Sequence, residues 1–354
     1  MRRFIQYLIF CVLSVGNVQA NDRILNFRLQ YLPNHIERHF AVVSPATKPA
    51  EHSLLQNSQE IASAYQAIHE DPMNIALLVS RGGSLQFEKY NHGASRKTPL
   101  FVYSVTKSFV AMMLLERLCE AGISNLDQPM GVHSERLRGT FYEDVTIRNA
   151  LNMQSGWGKT FFKTTQIPMF QSFMRREKTR LDWIKEMGAG EAKQGAHFWY
   201  NANDTNALSI LLEDLNGRSL VANFKSLFTD KIKLEEPVYW LKTGDEQHNG
   251  AASLMASARD LIALAGVFQQ KLTQSQCVRD LFAQIHDNNA SNGKYGYQTW
   301  LFDSAKDRTL PRRFAMMGNG GQYIAFDLDH DQITFVYSIQ PKYKQGEIAR
   351  LLFK

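Results

Sequence analysis

The 354-residue chain has little of the chemistry on which several classes of protein depend. It holds only 3 cysteines, too few for a disulfide framework. It also holds only 10 prolines, and no proline-rich linker occurs. Its 40 Lys and Arg residues are nearly balanced by 34 Asp and Glu residues, and no run of five like charges occurs. The sequence therefore predicts no nucleic-acid partner.

Sequence signatures of several enzyme classes are also missing. The chain contains no G-x-S-x-G elbow, no phosphate-binding loop, no dinucleotide-binding glycine motif and no internal repeat. What it does contain is 44% hydrophobic, 11% aromatic and 21% charged residues. This composition is typical of a compact globular protein, and the length suffices for a substantial core.

The first twenty residues have the pattern of a secretory signal. Arg2 and Arg3 precede a mostly apolar stretch over Ile5–Val15, and Val18–Ala20 gives a cleavage pattern before Asn21. The apolar stretch is too short for a membrane span, and no later run approaches that length. We expect Met1–Ala20 to be removed, which lowers the net charge from +6 to +4. The mature protein is then expected to be secreted, most simply to the periplasm of a Gram-negative bacterium, with no membrane span; a membrane anchor is the alternative.

Two cysteines remain after Cys11 leaves with the leader. Cys119 lies in an apolar helical run, where a free cysteine behaves as a small buried hydrophobe. A single disulfide between Cys119 and Cys277 is the open alternative.

The hydrophobic pattern places strands at both ends of the chain and helices between them. Residues Asn74–Ser80 and Ser84–Tyr90 predict an antiparallel hairpin, and the nearly all-apolar Val105–Cys119 predicts a buried helix. Further helices are expected at 146–153, 205–215, 257–270 and 346–353, and strands at 322–328 and 332–340. We predict a mixed α/β (α+β) fold in one domain, residues 21–354. Its antiparallel sheet lobe would comprise about 21–100 plus 250–354, beside a mostly helical lobe over about 101–249.

The candidate chemistry centres on Ser104 and Lys107. One helical turn separates them, so the ammonium and the hydroxyl lie on one helix face. Burial would lower the pKa of the lysine and let it accept the serine proton. The alternative is a helix-capping serine followed by a lysine that extends to solvent. The same spacing recurs at Ser291 and Lys294, in an Asn/Gly-rich loop that we interpret as surface.

Several segments together resemble the class C β-lactamase-related serine hydrolases, which include DD-peptidases, esterases and 6-aminohexanoate-dimer hydrolases. Leu100–Met130 is similar to the nucleophile region of that family. In the family's order follow TIRNALNMQSG at 146–156, FWYNANDTNAL at 198–208, GAASLMASARDL at 250–261, YGYQTWL at 295–301 and GNGGQY at 318–323. The resemblance runs from about residue 75 to the C-terminus and implies a β-lactamase/transpeptidase-like fold.

This resemblance implies roles for three side chains. Ser104 would be the acylated nucleophile, Lys107 its activating neighbour, and Tyr200 the proton relay, as general base in acylation and general acid to the leaving group. A tyrosine with an ordinary pKa near 10 needs a nearby cation to serve as a base. The alternative for Tyr200 is an aromatic anchor beside Phe198 and Trp199.

Further site residues follow from the same resemblance. The backbone N–H groups of Ser104 and Asn319 would form an oxyanion hole. Gly318, Gly320 and Gly321 would let a strand edge pass close to the substrate, although a simple turn also explains these glycines. Asn201 and Asn203 are the candidate substrate-binding amides.

The chain departs from the true β-lactamases at two motifs. Ala202 replaces the asparagine of Y-x-N, and the uncharged Met316-Met317-Gly318 stands in place of K-T-G or H-x-G. The cation of that third motif is therefore missing, unless Arg312 or Arg313 supplies the charge. We therefore expect an esterase or linear amidase acting on an uncharged or cationic small-molecule or peptide-like substrate. The alternatives are a penicillin-binding-type module that binds cell-wall peptide or a partner without turnover, and a true β-lactamase or DD-peptidase.

No cofactor is expected. His35 and His39 are four residues apart, but the segment is not H-E-x-x-H and precedes the family resemblance, so no metal site is predicted. Residues 157–195 are expected to shape the pocket, with Trp157, Phe161, Phe162 and Trp183 either at its entrance or in the lobe core. The oligomeric state stays open.

Overall fold

The computed structural model describes residues 40–45, 59–157, 168–169, 172, 175–188, 190–303, 309–339 and 345–353. The predicted leader, His35, His39, Phe161 and Phe162 lie outside these residues. Among the described residues no helix is long and apolar enough to cross a membrane.

The central element is a seven-stranded antiparallel sheet in the order β3-β2-β11-β10-β9-β8-β7. Two strands come from the first quarter of the described chain and five from its last quarter, so the expected assembly from both chain ends is confirmed. The strands are β2 (Asn74–Arg81), β3 (Ser84–Tyr90), β7 (Tyr295–Gly296), β8 (Thr299–Leu301), β9 (Arg313–Gly318), β10 (Gln322–Asp327) and β11 (Gln332–Ser338).

Both faces of this sheet are covered, which explains why its central strands are buried along their length rather than on alternate residues. All of β11 and all but the last residue of β2 are buried. Phe314 and Met316 of β9 belong to the main core, whereas Ala315 and the partly exposed Met317 belong to a second cluster on the other face. The end of β9 thus lies between two packed layers.

A smaller four-stranded antiparallel sheet, in the order β1-β5-β6-β4, lies beside the start of the buried helix. Its strands have two to four residues, too few for a recognisable hydrophobic period, and none is predicted above. They are β1 (Phe40–Val43), β4 (Leu100–Phe101), β5 (Val238–Leu241) and β6 (Leu254–Ala256).

The predicted buried helix is α3, Val105–Glu120, and nearly all its side chains are buried. Because apolar residues surround it, it packs against other helices and the large sheet at once. The other helices are α1 (Gln59–Ala64), α2 (Gln66–His69), α4 (Met130–His133), α5 (Ile147–Leu151), α6 (Arg180–Lys185), α7 (Ala202–Asn216), α8 (Leu220–Leu227), α9 (Ala258–Gln274), α10 (Gln276–Ala283) and α11 (Gln345–Leu351).

A disulfide joins Cys119 at the end of α3 to Cys277 at the start of α10, with the Cα atoms 6.0 Å apart. Cys119 is therefore not a free buried thiol, and of the two alternatives that the sequence left open the disulfide is the one that forms. The bridge spans 158 residues and fastens the nucleophile-bearing helix to a distant segment.

Candidate active site

Ser104 occupies the position that precedes α3, and its partly exposed side chain does not cap the helix. The chain turns into α3 through Tyr103, which adopts a left-handed φ of 47°. A non-glycine residue in this region costs roughly 1–3 kcal/mol, and such strain is found at functional sites. The turn is fixed to β6, because the Val102 N–H donates to the Leu254 carbonyl at 3.0 Å.

Lys107 extends along α3 toward Ser104. Its Nζ donates to Ser104 Oγ at 3.0 Å and to the carbonyl oxygen of Ala251 at 2.6 Å. Only 2% of the residue is exposed, so it does not extend to solvent. Desolvation lowers the pKa of this ammonium to about 7. A large fraction of Lys107 is then neutral at physiological pH and able to accept a proton.

Tyr200 completes a group of three polar side chains around Ser104. Its ring centroid lies 5.3 Å from Lys107 Nζ, and its phenol is near enough to the Ser104 side chain for that group to influence its pKa. Burial raises the pKa of Tyr200 to about 12, even though the nearby Ser104 side chain lowers it. The phenol is therefore protonated at neutral pH, a state suited to donating a proton rather than accepting one.

The two candidate asparagines are occupied within the protein. Asn201 caps α7, accepting from the Asp204 N–H at 2.8 Å while its amide donates to the Trp199 carbonyl. Asn203 is fully buried, with its amide nitrogen 3.0 Å from Met187 Sδ. These contacts argue against direct contact of either amide with a substrate, so the predicted substrate-binding role of Asn201 and Asn203 gains no support.

The predicted glycines lie at the β9–β10 hairpin. Gly318 ends β9, and a Cβ there would come within 3.0 Å of the Val102 carbonyl oxygen. Gly320 and Gly321 have φ values of 99° and 95°, which a turn requires and most other residues avoid. The turn alone accounts for these two residues, and the exposed Asn319 precedes them.

Neither Arg312 nor Arg313 replaces the missing cation of the third motif. Arg313 pairs with Asp327, its partner in the β9–β10 ladder, and the exposed Arg312 pairs with Asp329. Both lie at the opposite end of β9 from Gly318. Met316 is fully buried in the main core.

The second serine–lysine pair has no catalytic geometry. Ser291 is buried rather than at the surface as expected, and its hydroxyl donates to the Tyr295 carbonyl at 2.8 Å. Lys294 is exposed. The serine therefore stabilises its own loop.

Asp204 is a buried group that sequence reasoning missed. No part of this residue is exposed, and the Tyr142 hydroxyl donates to its Oδ1 at 2.7 Å. Desolvation raises the pKa of its carboxyl to about 7, although the hydrogen bond from Tyr142 lowers it. An acidic residue four positions after Tyr200 on a buried helix was the available signal.

Apolar and aromatic groups surround the polar triplet. Ala202 packs with Met169, Ala251 and the partly buried Trp183. Trp300 stacks on the Tyr200 ring at a centroid distance of 5.8 Å. Among the described residues no group of three or more His, Cys, Asp or Glu side chains could hold a metal ion.

Comparison with known proteins gives the same family assignment as the sequence motifs. A family model described as "Beta-lactamase" matches residues 66–351. A comparison with curated proteins found no match.

Solved structures give fold-level likenesses. A provisionally assigned 6-aminohexanoate-dimer hydrolase from Bacillus anthracis is 15% identical, with a TM-score of 0.71 over 92% of each chain. A penicillin-binding protein from Bacillus halodurans is 18% identical, with a TM-score of 0.60 over 84% of this chain and 100% of its own. EstCE1, a hydrolase with promiscuous acyltransferase activity, is 15% identical, with a TM-score of 0.60 over 84% and 99%.

Proposed function

Because the chain belongs to the Beta-lactamase family, we propose that it is a serine hydrolase that cleaves an ester or a linear amide through an acyl-enzyme on Ser104. The observation that carries the proposal is the 3.0 Å hydrogen bond from Lys107 Nζ to Ser104 Oγ. A desolvated amine beside a partly exposed hydroxyl is the arrangement that activates a serine nucleophile.

In the proposed acylation, neutral Lys107 takes the hydroxyl proton as Ser104 Oγ attacks the substrate carbonyl. The bond to the leaving group then breaks, the protonated Tyr200 donates to that group, and Lys107 passes the proton that it took from Ser104 to the resulting phenolate. The leaving alcohol or amine thus gains one proton, and Tyr200 and Lys107 regain their starting states. A water molecule reverses these steps in deacylation. Burial disfavours the phenolate that a basic Tyr200 would require, so we assign the base to Lys107.

The backbone N–H groups of Ser104 and Asn319 are the proposed oxyanion donors. Within the described residues no backbone carbonyl accepts a hydrogen bond from either. Gly318 packs against Val102, which brings the end of β9 beside the turn that carries Ser104. Each such donor is worth about 3–4 kcal/mol in the transition state.

The surroundings of Ser104 favour an uncharged ester or linear amide over a β-lactam. Ala202 and Met316 stand where the true β-lactamases have an asparagine and a cation, and Arg312 and Arg313 are held at the far end of β9. A substrate carboxylate therefore lacks its partner. The name of the B. anthracis neighbour refers to a linear amide, which adds modest support.

We also propose that the mature protein is secreted, most simply to the periplasm. The leader Met1–Ala20 is the sequence evidence. The Cys119–Cys277 bridge is in keeping with it, because disulfides persist in oxidising compartments.

Hydrolysis assays test this function. The mature protein is incubated with p-nitrophenyl butyrate, with the linear dimer of 6-aminohexanoate, and with the chromogenic cephalosporin nitrocefin. Turnover of the ester or the amide that disappears in Ser104→Ala, with little turnover of nitrocefin, supports the proposal. Efficient turnover of nitrocefin would show that the argument from Ala202 and Met316 is wrong.

A second candidate is a penicillin-binding-type module without turnover. The changes at Ala202, Met316 and Met317 favour it, since each removes a group that binds substrate in the enzymes. This alternative predicts specific binding of a cell-wall peptide and no hydrolysis of any of the three substrates.

A further inference from the structure

A set of stacked rings extends from Tyr200 toward the surface. Trp300 stacks on the Tyr200 ring at 5.8 Å with an interplanar angle of 26°. Phe198 meets the edge of Trp300 at 6.3 Å, and the buried Tyr295 supports both from below, at 5.1 Å from Phe198 and 4.9 Å from Trp300. Phe198 and Trp300 each keep part of their surface exposed. Clustered aromatic groups that stay partly exposed beside a polar site are typical of a ligand pocket.

The position of these rings relative to the reaction follows from Tyr200. Its hydroxyl is near the Ser104 side chain and, in the function proposed above, donates a proton to the leaving group. The leaving atom must then lie within hydrogen-bond distance of that hydroxyl. Trp300 covers a face of the same ring, so the next atoms of the leaving group lie near Trp300 and Phe198.

Phe198 and Trp300 are themselves uncharged. Lys107 Nζ lies 5.3 Å from the Tyr200 centroid and is already bonded to Ser104 and Ala251. A flat aromatic group gains from stacked or edge-to-face packing on Trp300 and Phe198 beyond what its apolar area gives. A saturated ring of similar size gains only the area.

We propose that Trp300 and Phe198 form a leaving-group subsite that selects substrates whose alcohol or amine portion is aromatic. The inference rests on the proposed function, since the direction of the leaving group is taken from the role of Tyr200. It adds a substrate class: aromatic esters or amides cleaved to release an arylalkyl alcohol or amine.

The test compares two esters that differ only in the leaving group, benzyl butyrate and cyclohexylmethyl butyrate. We expect kcat/KM for the benzyl ester to exceed that for the cyclohexylmethyl ester by about threefold to tenfold, the range for an aromatic pair. The ratio should fall close to one in Trp300→Leu and be largely kept in Trp300→Phe. The matched control is Phe302→Leu, which should keep the wild-type ratio. Phe302 is an exposed aromatic residue two positions after Trp300, and its ring centroid lies 4.7 Å from that of Phe353. A wild-type ratio near one, or a ratio that Trp300→Leu leaves unchanged, overturns the inference.

Binding separates this inference from the proposed function. Ser104→Ala is titrated with benzyl alcohol and with cyclohexylmethanol, and tryptophan fluorescence is followed. Tighter binding of benzyl alcohol than of cyclohexylmethanol supports the subsite if this preference is lost when Trp300→Leu is added to Ser104→Ala. If the wild type hydrolyses neither ester, that result still supports the subsite, and only the proposed function fails. Hydrolysis of both esters with equal binding of the two alcohols overturns the subsite and leaves the proposed function standing.

Discussion

Gly318 faces the carbonyl oxygen of Val102 so closely that any Cβ at this position would come within 3.0 Å of it. Val102 lies two residues before Ser104 in the strained turn that begins α3. The contact therefore fixes the distance between the last residue of β9 and the nucleophile. The close packing of these two backbone segments therefore requires a glycine at position 318, whether or not a substrate is bound.

Gly318→Ala should damage both stability and activity, because the added methyl must displace either β9 or the turn before Ser104. We expect the free energy of unfolding to fall by about 1–3 kcal/mol, and kcat/KM to fall by more than about tenfold, since small displacements of reacting groups are costly. Denaturant unfolding and ester hydrolysis measure the two effects. The control is Gly266→Ala in α9, where a Cβ meets nothing within 4 Å; it should stabilise by up to about 1 kcal/mol and leave kcat/KM unchanged. Equal behaviour of the two variants would contradict this account of the contact.

The pH dependence of catalysis should follow Lys107. Because the neutral amine is the proposed base and its pKa is lowered to about 7, kcat/KM should rise as pH increases through about 7 and then level off. Lys107→Met should lower kcat/KM by about 10²–10⁴-fold, the usual contribution of a general base. A profile that is flat between pH 5.5 and 8.5 would contradict the assignment.

The same lysine should cost stability near neutral pH. Its folded-state pKa of about 7 lies below the ordinary lysine value of 10.5, so the unfolded chain binds more protons between these values. The wild-type protein should lose stability relative to Lys107→Met as pH falls from about 10 to 7, and Lys107→Met should have the higher melting temperature at pH 7. Melting curves of both proteins across this range give the comparison; a variant less stable at pH 7 would show that the burial penalty is absent.

The buried carboxyl of Asp204 should change the pH dependence of stability in the opposite direction, because its burial lowers the stability of the folded protein as pH rises. Burial raises its pKa to about 7 from the ordinary aspartate value of 3.8, so the stability that its neutral form contributes is present below about pH 4 and lost as pH rises through 7. Asp204→Asn keeps an acceptor for the Tyr142 hydroxyl and cannot ionise. Relative to wild type, we expect its melting temperature to rise steadily between pH 4 and pH 8. A difference that does not vary with pH would be inconsistent with a buried titrating carboxyl.

Removal of the Cys119–Cys277 bridge should destabilise the protein without abolishing activity. The bridge lies twelve residues from Lys107 along α3, about 18 Å away. We expect Cys119→Ser with Cys277→Ser to lower the free energy of unfolding by about 2–4 kcal/mol and to leave kcat/KM at 20 °C nearly unchanged. A reductant should lower the melting temperature of the wild type to that of the double variant, and should not affect the double variant. If it has no effect on either protein, the bridge does not form.

The local pattern of the sequence predicts much of the fold. The β2–β3 hairpin and α3 were predicted nearly to the residue, because the Gly82-Gly83 turn and an unbroken apolar run are strong short-range signals. The short strands β5 and β6 were not predicted, since three or four residues carry no usable period. The disulfide was left open because nothing local relates cysteines 158 positions apart.

The candidate site, like the fold, has some residues that local sequence patterns predict and others whose position depends on tertiary packing. Ser104 and Lys107 could be paired from helical spacing, but the proximity of Tyr200 rests on tertiary packing and was reached only through family resemblance. The substrate-binding role of Asn201 stays a prediction, since an asparagine before a helix can also cap it, and the 2.8 Å contact with the Asp204 N–H is such a cap.

The most direct test of the central claim is covalent labelling of the nucleophile. The mature protein is treated with a fluorophosphonate at pH 8, and the adduct is measured by intact mass and located by peptide mapping. The account predicts one adduct per chain, on Ser104, absent in Ser104→Ala and formed much more slowly in Lys107→Met. An adduct on another residue, or labelling that persists in Ser104→Ala, would contradict it.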